Sequence, residues 1–282
     1  MQDGARRWIK LGFMSFQPSE LAKIGLIIFY ATLLTKNKDR LGEMGRGFFY
    51  PLMFLIPMIG ILVLVQNHLS STLLIIMIVS IMMLMAGTKL RYFLTWGTTG
   101  AATGVLGLIM YAKITKKGLF RLNRIVTFLD PFKDTKGDGW QVIQSLYAIG
   151  SGGLFGVGLG NSTQKYLYLP EAHNDFIFSI IAEELGFVGC AFVIVLFALF
   201  IWRGVLISIK APDMFGSLLA IGITTMVGLQ AIINIAVVTS SMPNTGMPLP
   251  FFSYGGTSLL ILLCSVGILL NISKASKEGK KI

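Results

Sequence analysis

The sequence predicts an all-α integral membrane protein, a polytopic helical bundle of about seven transmembrane helices with one large extracytoplasmic loop. Three observations carry that expectation. The chain of 282 residues is 54% hydrophobic and only 13% charged, against roughly 25% charged in an average soluble domain. Apolar stretches long enough to cross about 30 Å of hydrocarbon, at about 1.5 Å per residue, recur along its length. Lys and Arg gather in alternate loops between those stretches, as short cytoplasmic loops require.

The apolar stretches lie at about 18–36, 49–66, 69–87, 91–112, 177–201, 214–239 and 251–272. Between the fourth and fifth lies a polar, glycine-rich segment, 113–176, far longer than an ordinary connection, and connections of that length usually serve a function. With no internal repeat, the chain reads as a single membrane domain over 1–282 with the 113–176 loop inside it. Lys274, Lys277, Lys280 and Lys281 in the tail, Arg203 and Lys210, Lys89 and Arg91, and Lys36, Lys38, Arg40 and Arg46 fall on one side of the alternation. Loops 67–68 and 240–250 on the other side hold no Lys or Arg. The C-terminus is therefore expected in the cytoplasm and the large loop outside. That side also carries Arg6, Arg7, Lys10, Lys113, Lys116, Lys117, Arg121, Arg124, Lys133, Lys136 and Lys165. Long loops escape the positive-inside rule, and an anionic partner outside would equally account for them. Residues 1–17 have no apolar core of a signal peptide, so the spans themselves are expected to direct insertion.

The 24 Lys and Arg against 13 Asp and Glu leave a net charge of +11. In so apolar a chain this suits an anionic membrane surface or anionic substrate better than nucleic acid. Cys190 and Cys264 sit within apolar runs and read as small hydrophobes. His68 and His173 are the only histidines, and neither has a Cys partner at metal-ligand spacing, so no metal site is predicted.

Chemistry concentrates near the end of the large loop. The run SGGLFGVGLG at 151–160 could cradle phosphate with backbone amides, but it fits no phosphate-loop pattern, and a turn-forming role is the simpler reading. Pro170 suits the first turn of a helix, which would set Glu171 and Asp175 on one face near its positive end. Asp175 there is either a helix cap or a general base at the membrane edge, Glu171 a capping or orienting group, and His173 a candidate relay or phosphate contact. Glu183 and Glu184 fall within the fifth span, where a carboxylate needs a partner. Lys23, Arg121 and Arg124 are the candidates, for a structural ion pair or a substrate-facing role. Finally, NIAVVTSSMPNTGMPLPFFSYGGTS at 234–258 brings Pro243, Pro248, Pro250 and Gly255-Gly256 to membrane depth. Non-helical backbone there survives when buried in protein or lining a cavity.

Taken together, GARRWIKLGFMSFQPSELAK at 4–23, FLDPF at 128–132, QVIQSLYAIGSGGLFGVGLGNSTQKYLYLPEAHNDFIFSIIAEELGFVG at 141–189 and PNTGMPLPFFSYGGTS at 243–258 resemble the FtsW/RodA/SpoVE (SEDS) family, most nearly its division and sporulation branch. The resemblance implies a peptidoglycan glycosyltransferase of the bacterial cytoplasmic membrane that polymerises lipid II during cell division, beside a class B penicillin-binding protein transpeptidase. It also implies further helices before the first span. The family's H-T-D-F motif matches His173-Asn174-Asp175-Phe176, which makes Asp175 the expected base. Glu171 and His173 would orient the acceptor, and Arg6, Arg7, Lys117, Arg121 and Arg124 would steady the departing undecaprenyl diphosphate. Asn174 replaces the usual Thr. The family's acidic motif after the second span reads HLSST at 68–72, without its acid and glycine. No resident cofactor is implied, and a divalent cation beside the diphosphate is compatible with the pattern. A lipid II flippase and a non-catalytic scaffold for division partners are the rival expectations.

Overall fold

In a computed structural model the described residues are 9–11, 14–64, 69–97, 100, 128, 130–133, 138–166 and 169–278. A short antiparallel hairpin, β1 (Ile9–Leu11) and β2 (Met14–Phe16), precedes a run of helices. These are α1 (Pro18–Lys36), α2 (Tyr50–Leu64), α3 (Leu69–Ala86), α4 (Asp138–Gly152), α5 (Ile177–Lys210), α6 (Met214–Val238) and α7 (Gly256–Glu278). Residues 90–97 are also helical. Apart from the hairpin the regular structure among the described residues is helical, as expected.

Among the described residues four helices are long and apolar enough to span a bilayer, α1, α5, α6 and α7, and two shorter apolar helices cover Met44–Gly60 and Ser70–Ala86. Most of the expected span 91–112 lies outside the described residues. Two boundaries move. The fifth span continues to Lys210, because nothing between Leu199 and Lys210 interrupts the helix. The last begins at Gly256, because residues 251–255 form a turn around Phe251. The polar, glycine-rich segment 113–176 contains the helix α4.

The chain divides into two compact units, 1–94 with 198–229 and 255–282, and 95–197 with 230–254. In the first, α1 packs against α3, α2 and α7, burying Ile27, Tyr30 and Leu34 with Leu74, Ile75 and Met82. The Tyr30 hydroxyl donates to the Pro51 carbonyl at 2.8 Å, which satisfies an otherwise buried polar group. Gly222 lets α6 approach closely: a Cβ there would stand 2.6 Å from Ile27 Cγ2.

The second unit holds Glu171, His173, Asp175, Glu183 and Glu184. Its core includes Val142, Ile143, Leu169, Phe176, Phe178 and Val238. Ser145 Oγ on α4 donates to the Val238 carbonyl at 2.7 Å and lies 2.8 Å from Ser179 Oγ on α5. A hydroxyl has one proton to give, so Ser179 is the donor to Ser145. One buried hydroxyl thereby ties three elements together.

Candidate functional site

Helix α5 begins at Ile177, not at Pro170. Residues 169–176 form successive turns, and Glu171 adopts a left-handed conformation, φ 55°, that no helix can include. Glu171 and Asp175 therefore do not share a helix face. The Glu171 carbonyl accepts from the Asn174 amide at 3.0 Å and the Phe176 amide at 3.4 Å, and its carboxylate accepts from Asn174 Nδ2 at 2.5 Å. Asn174, where the family pattern has Thr, thus braces the turn.

Three consecutive carbonyls of this turn are held from segment 234–254. The His173 carbonyl accepts from the Tyr254 amide at 2.9 Å, the Asn174 carbonyl from Ser253 Oγ at 2.6 Å, and the Asp175 carbonyl from Asn234 Nδ2 at 2.7 Å. The second proton of Asn234 Nδ2 goes to the Met247 carbonyl, also at 2.7 Å, so one buried carboxamide joins the two segments. Ser253 Oγ in turn accepts from the Leu249 amide at 2.7 Å. Phe251 between them has φ 68°, a strained geometry for a bulky residue that persists where the surroundings over-determine it.

The side chain of Asp175 is half-buried and lies against Gly246. That glycine has φ 61°, and a Cβ on it would come within 3.2 Å of Asp175 Oδ2. Gly246 N–H donates to Asn244 Oδ1 at 3.2 Å, and Asn244 Nδ2 donates to Gln141 Oε1 of α4 at 2.7 Å. The Asp175 carboxylate thus sits beside the backbone of Gly246, at the end of a short carboxamide chain that runs through Asn244 to Gln141. Glu171 and His173 are exposed on the same turn. Arg6, Arg7, Lys117, Arg121 and Arg124 lie outside the described residues.

Sequence reasoning passed over Asn234, Gln141, Asn244, Gly246 and Ser253. The signal for Asn234 was available: a single carboxamide in the apolar run IINIAVV must find hydrogen-bond partners. Within the segment expected to be buried in protein or to line a cavity, Asn234, Ser253 and Tyr254 hold the turn that carries Asp175.

Of the partners expected for Glu183 and Glu184, Arg121 and Arg124 lie outside the described residues, and Lys23 is engaged elsewhere. The buried Glu183 carboxylate accepts from Ser162 Oγ, the Thr163 amide at 3.0 Å, Thr163 Oγ1 at 2.9 Å and the Gln164 amide at 3.4 Å. Glu184 pairs with Lys165 at 2.9 Å, while Lys23 pairs with Glu20 of its own helix at 2.7 Å. The carboxylates thus anchor loop 160–165, because amides and hydroxyls of a nearby turn can solvate a carboxylate as well as a distant cation can. Glu183→Ala should strip that turn of its acceptor at a cost of about 1–3 kcal/mol. Hydrogen exchange is expected to speed at the Thr163 and Gln164 amides and remain slow in α6.

The glycine run serves the same region. At Gly186, φ 65° and ψ −163°, α5 is broken. Where an intact helix would bond amides 187 and 188 to carbonyls 183 and 184, the Phe187 and Val188 amides donate to the Gly153 and Leu154 carbonyls at 2.9 and 3.2 Å. The Glu183 and Glu184 carbonyls accept instead from the Val157 and Gly158 amides at 2.9 and 3.1 Å. Two helical bonds are exchanged for four to the loop. Among the described residues no three His, Cys, Asp or Glu side chains gather as a metal site.

Residues 1–278 match the family described as "Cell cycle protein", FtsW/RodA/SpoVE. The chain belongs to that family. As such it is a multi-pass membrane protein. This SEDS protein is 42% identical over 277 residues to Stage V sporulation protein E of Bacillus subtilis (strain 168), covering 98% of the chain and 74% of that protein. It is 45% identical over 270 residues to the probable peptidoglycan glycosyltransferase FtsW of Geobacter sp. (strain M18), covering 96% and 71%. A solved structure titled "Structural coordination of polymerization and crosslinking by a peptidoglycan synthase complex" superposes with a TM-score of 0.78 at 30% identity, over 98% of this chain and 75% of that one.

Proposed function

We infer that this SEDS protein is a peptidoglycan glycosyltransferase that uses lipid II as donor, lengthens glycan strands during cell division, and carries its base at Asp175. The observation that carries the reading is a half-buried carboxylate set against Gly246 on a turn whose three successive carbonyls are tied down. Relatives named as probable peptidoglycan glycosyltransferases support the reaction class, and the FtsW names support division as its setting. The 4-hydroxyl of the acceptor loses its proton to Asp175 as its oxygen attacks the anomeric carbon of the donor sugar. The bond from that carbon to undecaprenyl diphosphate breaks, and the centre inverts. Glu171 and His173 orient the acceptor. Arg6, Arg7, Lys117, Arg121 and Arg124 neutralise the departing diphosphate, with a divalent cation as a compatible assistant. On the distribution of Lys and Arg, the C-terminus is cytoplasmic and loop 113–176 extracytoplasmic. A class B penicillin-binding protein is the proposed partner, in keeping with the cross-linking named for the similar complex.

The test is to incubate the protein, reconstituted in liposomes with its proposed partner, with lipid II and resolve the products. Glycan polymer is expected. Transfer of lipid II across the bilayer without polymer would favour the flippase instead, and neither outcome would leave a scaffold.

Asn234 gives a finer expectation. Asn234→Ala removes both bonds from its carboxamide, worth together about 1–3 kcal/mol. Because it holds the turn and not the ligand, turnover should fall by about tenfold with KM within about twofold. Asn234→Asp, similar in shape but without the two donors, should fall alongside it. Steady-state polymerisation rates normalised to folded protein decide this.

A further inference from the structure

The loop grafted into the break of α5 is apolar on its outside. Phe155 is 80% exposed, Leu159 76% and Leu154 65%. Non-helical backbone is excluded from hydrocarbon by its unpaired amides and carbonyls. Here that obstacle is largely removed. The Gly156, Val157 and Gly158 amides donate to the Gly152, Glu183 and Glu184 carbonyls, and the Gly153 and Leu154 carbonyls accept from α5. The Val157 carbonyl accepts from Asn161 Nδ2 at 3.2 Å, and the Gly160 carbonyl from Lys165 Nζ at 2.5 Å.

The position of the loop along α5 points the same way. The helix has 34 residues, about 51 Å at about 1.5 Å each, well beyond the roughly 30 Å of a hydrocarbon core. From Phe187 to Lys210 it still measures about 36 Å, enough to cross alone. The break therefore sits near a membrane boundary, and Glu183 and Glu184 lie at that edge. Phe187 and Val188 just past the break are exposed, as are Phe192 and Val195 further along, and the first two are bonded directly to the loop. The apolar side chains of the loop thus continue the lipid-facing surface of the span. Lys165 and the exposed Tyr166, with the ammonium 5.3 Å from the ring centroid, follow at once in sequence, a pairing typical of the headgroup region.

We propose that residues 154–159 form a re-entrant wedge that inserts Leu154, Phe155 and Leu159 into the acyl chains of the bilayer leaflet at the Gly186 end of α5. The occupant of this surface is lipid. Asp175, about eleven residues before the break, is thereby held above the acyl region, on the headgroup side of the wedge. The inference needs only a membrane-spanning α5 and stands whether or not Asp175 is the base.

The test uses single-cysteine variants Phe155→Cys, Leu159→Cys, Val195→Cys and Asn161→Cys in the protein carrying Cys190→Ala and Cys264→Ala. Each is labelled with a nitroxide in phosphatidylcholine and phosphatidylglycerol liposomes. Power saturation compares access to oxygen, which partitions into lipid, with access to a water-soluble nickel chelate. Labels at 155 and 159 are expected to match Val195→Cys, with oxygen favoured several-fold, and the label at 161 to favour nickel. Preference for nickel at 155 and 159 would place the loop in water, and exclusion of both reagents would mean that protein covers it. Either result overturns the proposal.

Discussion

Asp175→Asn is expected to cut glycan polymerisation from lipid II by at least about a hundredfold, the lower end of what a general base contributes. Asparagine keeps the size of the side chain, but its carboxamide has no basic oxygen able to take a proton from the acceptor hydroxyl. The bonds that hold the turn come to main-chain carbonyls at 173, 174 and 175, and all three survive the exchange. The variant should therefore melt close to the parent and still bind its proposed partner. Loss of rate with folding intact separates a chemical role from a capping one, since a cap would show itself in stability. Undiminished polymer synthesis by the folded variant would remove Asp175 from the reaction.

The second large effect belongs to Gly186→Ala. A Cβ at this position would overlap the Gly156 amide nitrogen and stand 2.6 Å from the Leu154 carbonyl carbon and oxygen. Those are backbone atoms fixed by four hydrogen bonds, so no side chain can swing away. The φ of 65° adds strain of about 1–3 kcal/mol for a residue with a side chain, and overpacking costs about 1–3 kcal/mol more. The less costly response is for the helix to straighten and restore its bonds from 187 to 183 and from 188 to 184, which expels the loop. Expected results are a lower melting temperature in detergent and fast hydrogen exchange at the Val157 and Gly158 amides. Gly150→Ala, whose Cβ would meet nothing within 4 Å, is the control and should change neither. Unaltered exchange in Gly186→Ala would mean that the break does not depend on glycine.

These two substitutions also mark how far the chain could be read before it was folded. The motif around Asp175 was legible because it is a contiguous string, as was the need of Glu183 and Glu184 for partners, which follows from where they fall in an apolar run. The identity of those partners was not. A cation was the natural guess for each carboxylate, yet Glu183 is solvated by the amides and hydroxyls of residues 162–164, and such donors leave no mark in composition. The helix expected from Pro170 failed for a similar reason: proline at a first turn is a local preference, and the bonds from Asn234, Ser253 and Tyr254 to the turn outweigh it. The glycine run was read correctly as a turn-former, but its meeting with the break at Gly186 required the three-dimensional pairing.

The sequence by itself determined membrane character, the helical class, most span positions and family membership, because hydropathy and motif strings are properties of neighbouring residues. Only the tertiary structure decided that Asn234 holds Asp175 across 59 positions, that Ser253 holds Asn174 across 79, and that Glu183 anchors Thr163 across 20. The physical reason is that a hydrogen bond depends on distance and direction between two groups, and separation along the chain fixes neither.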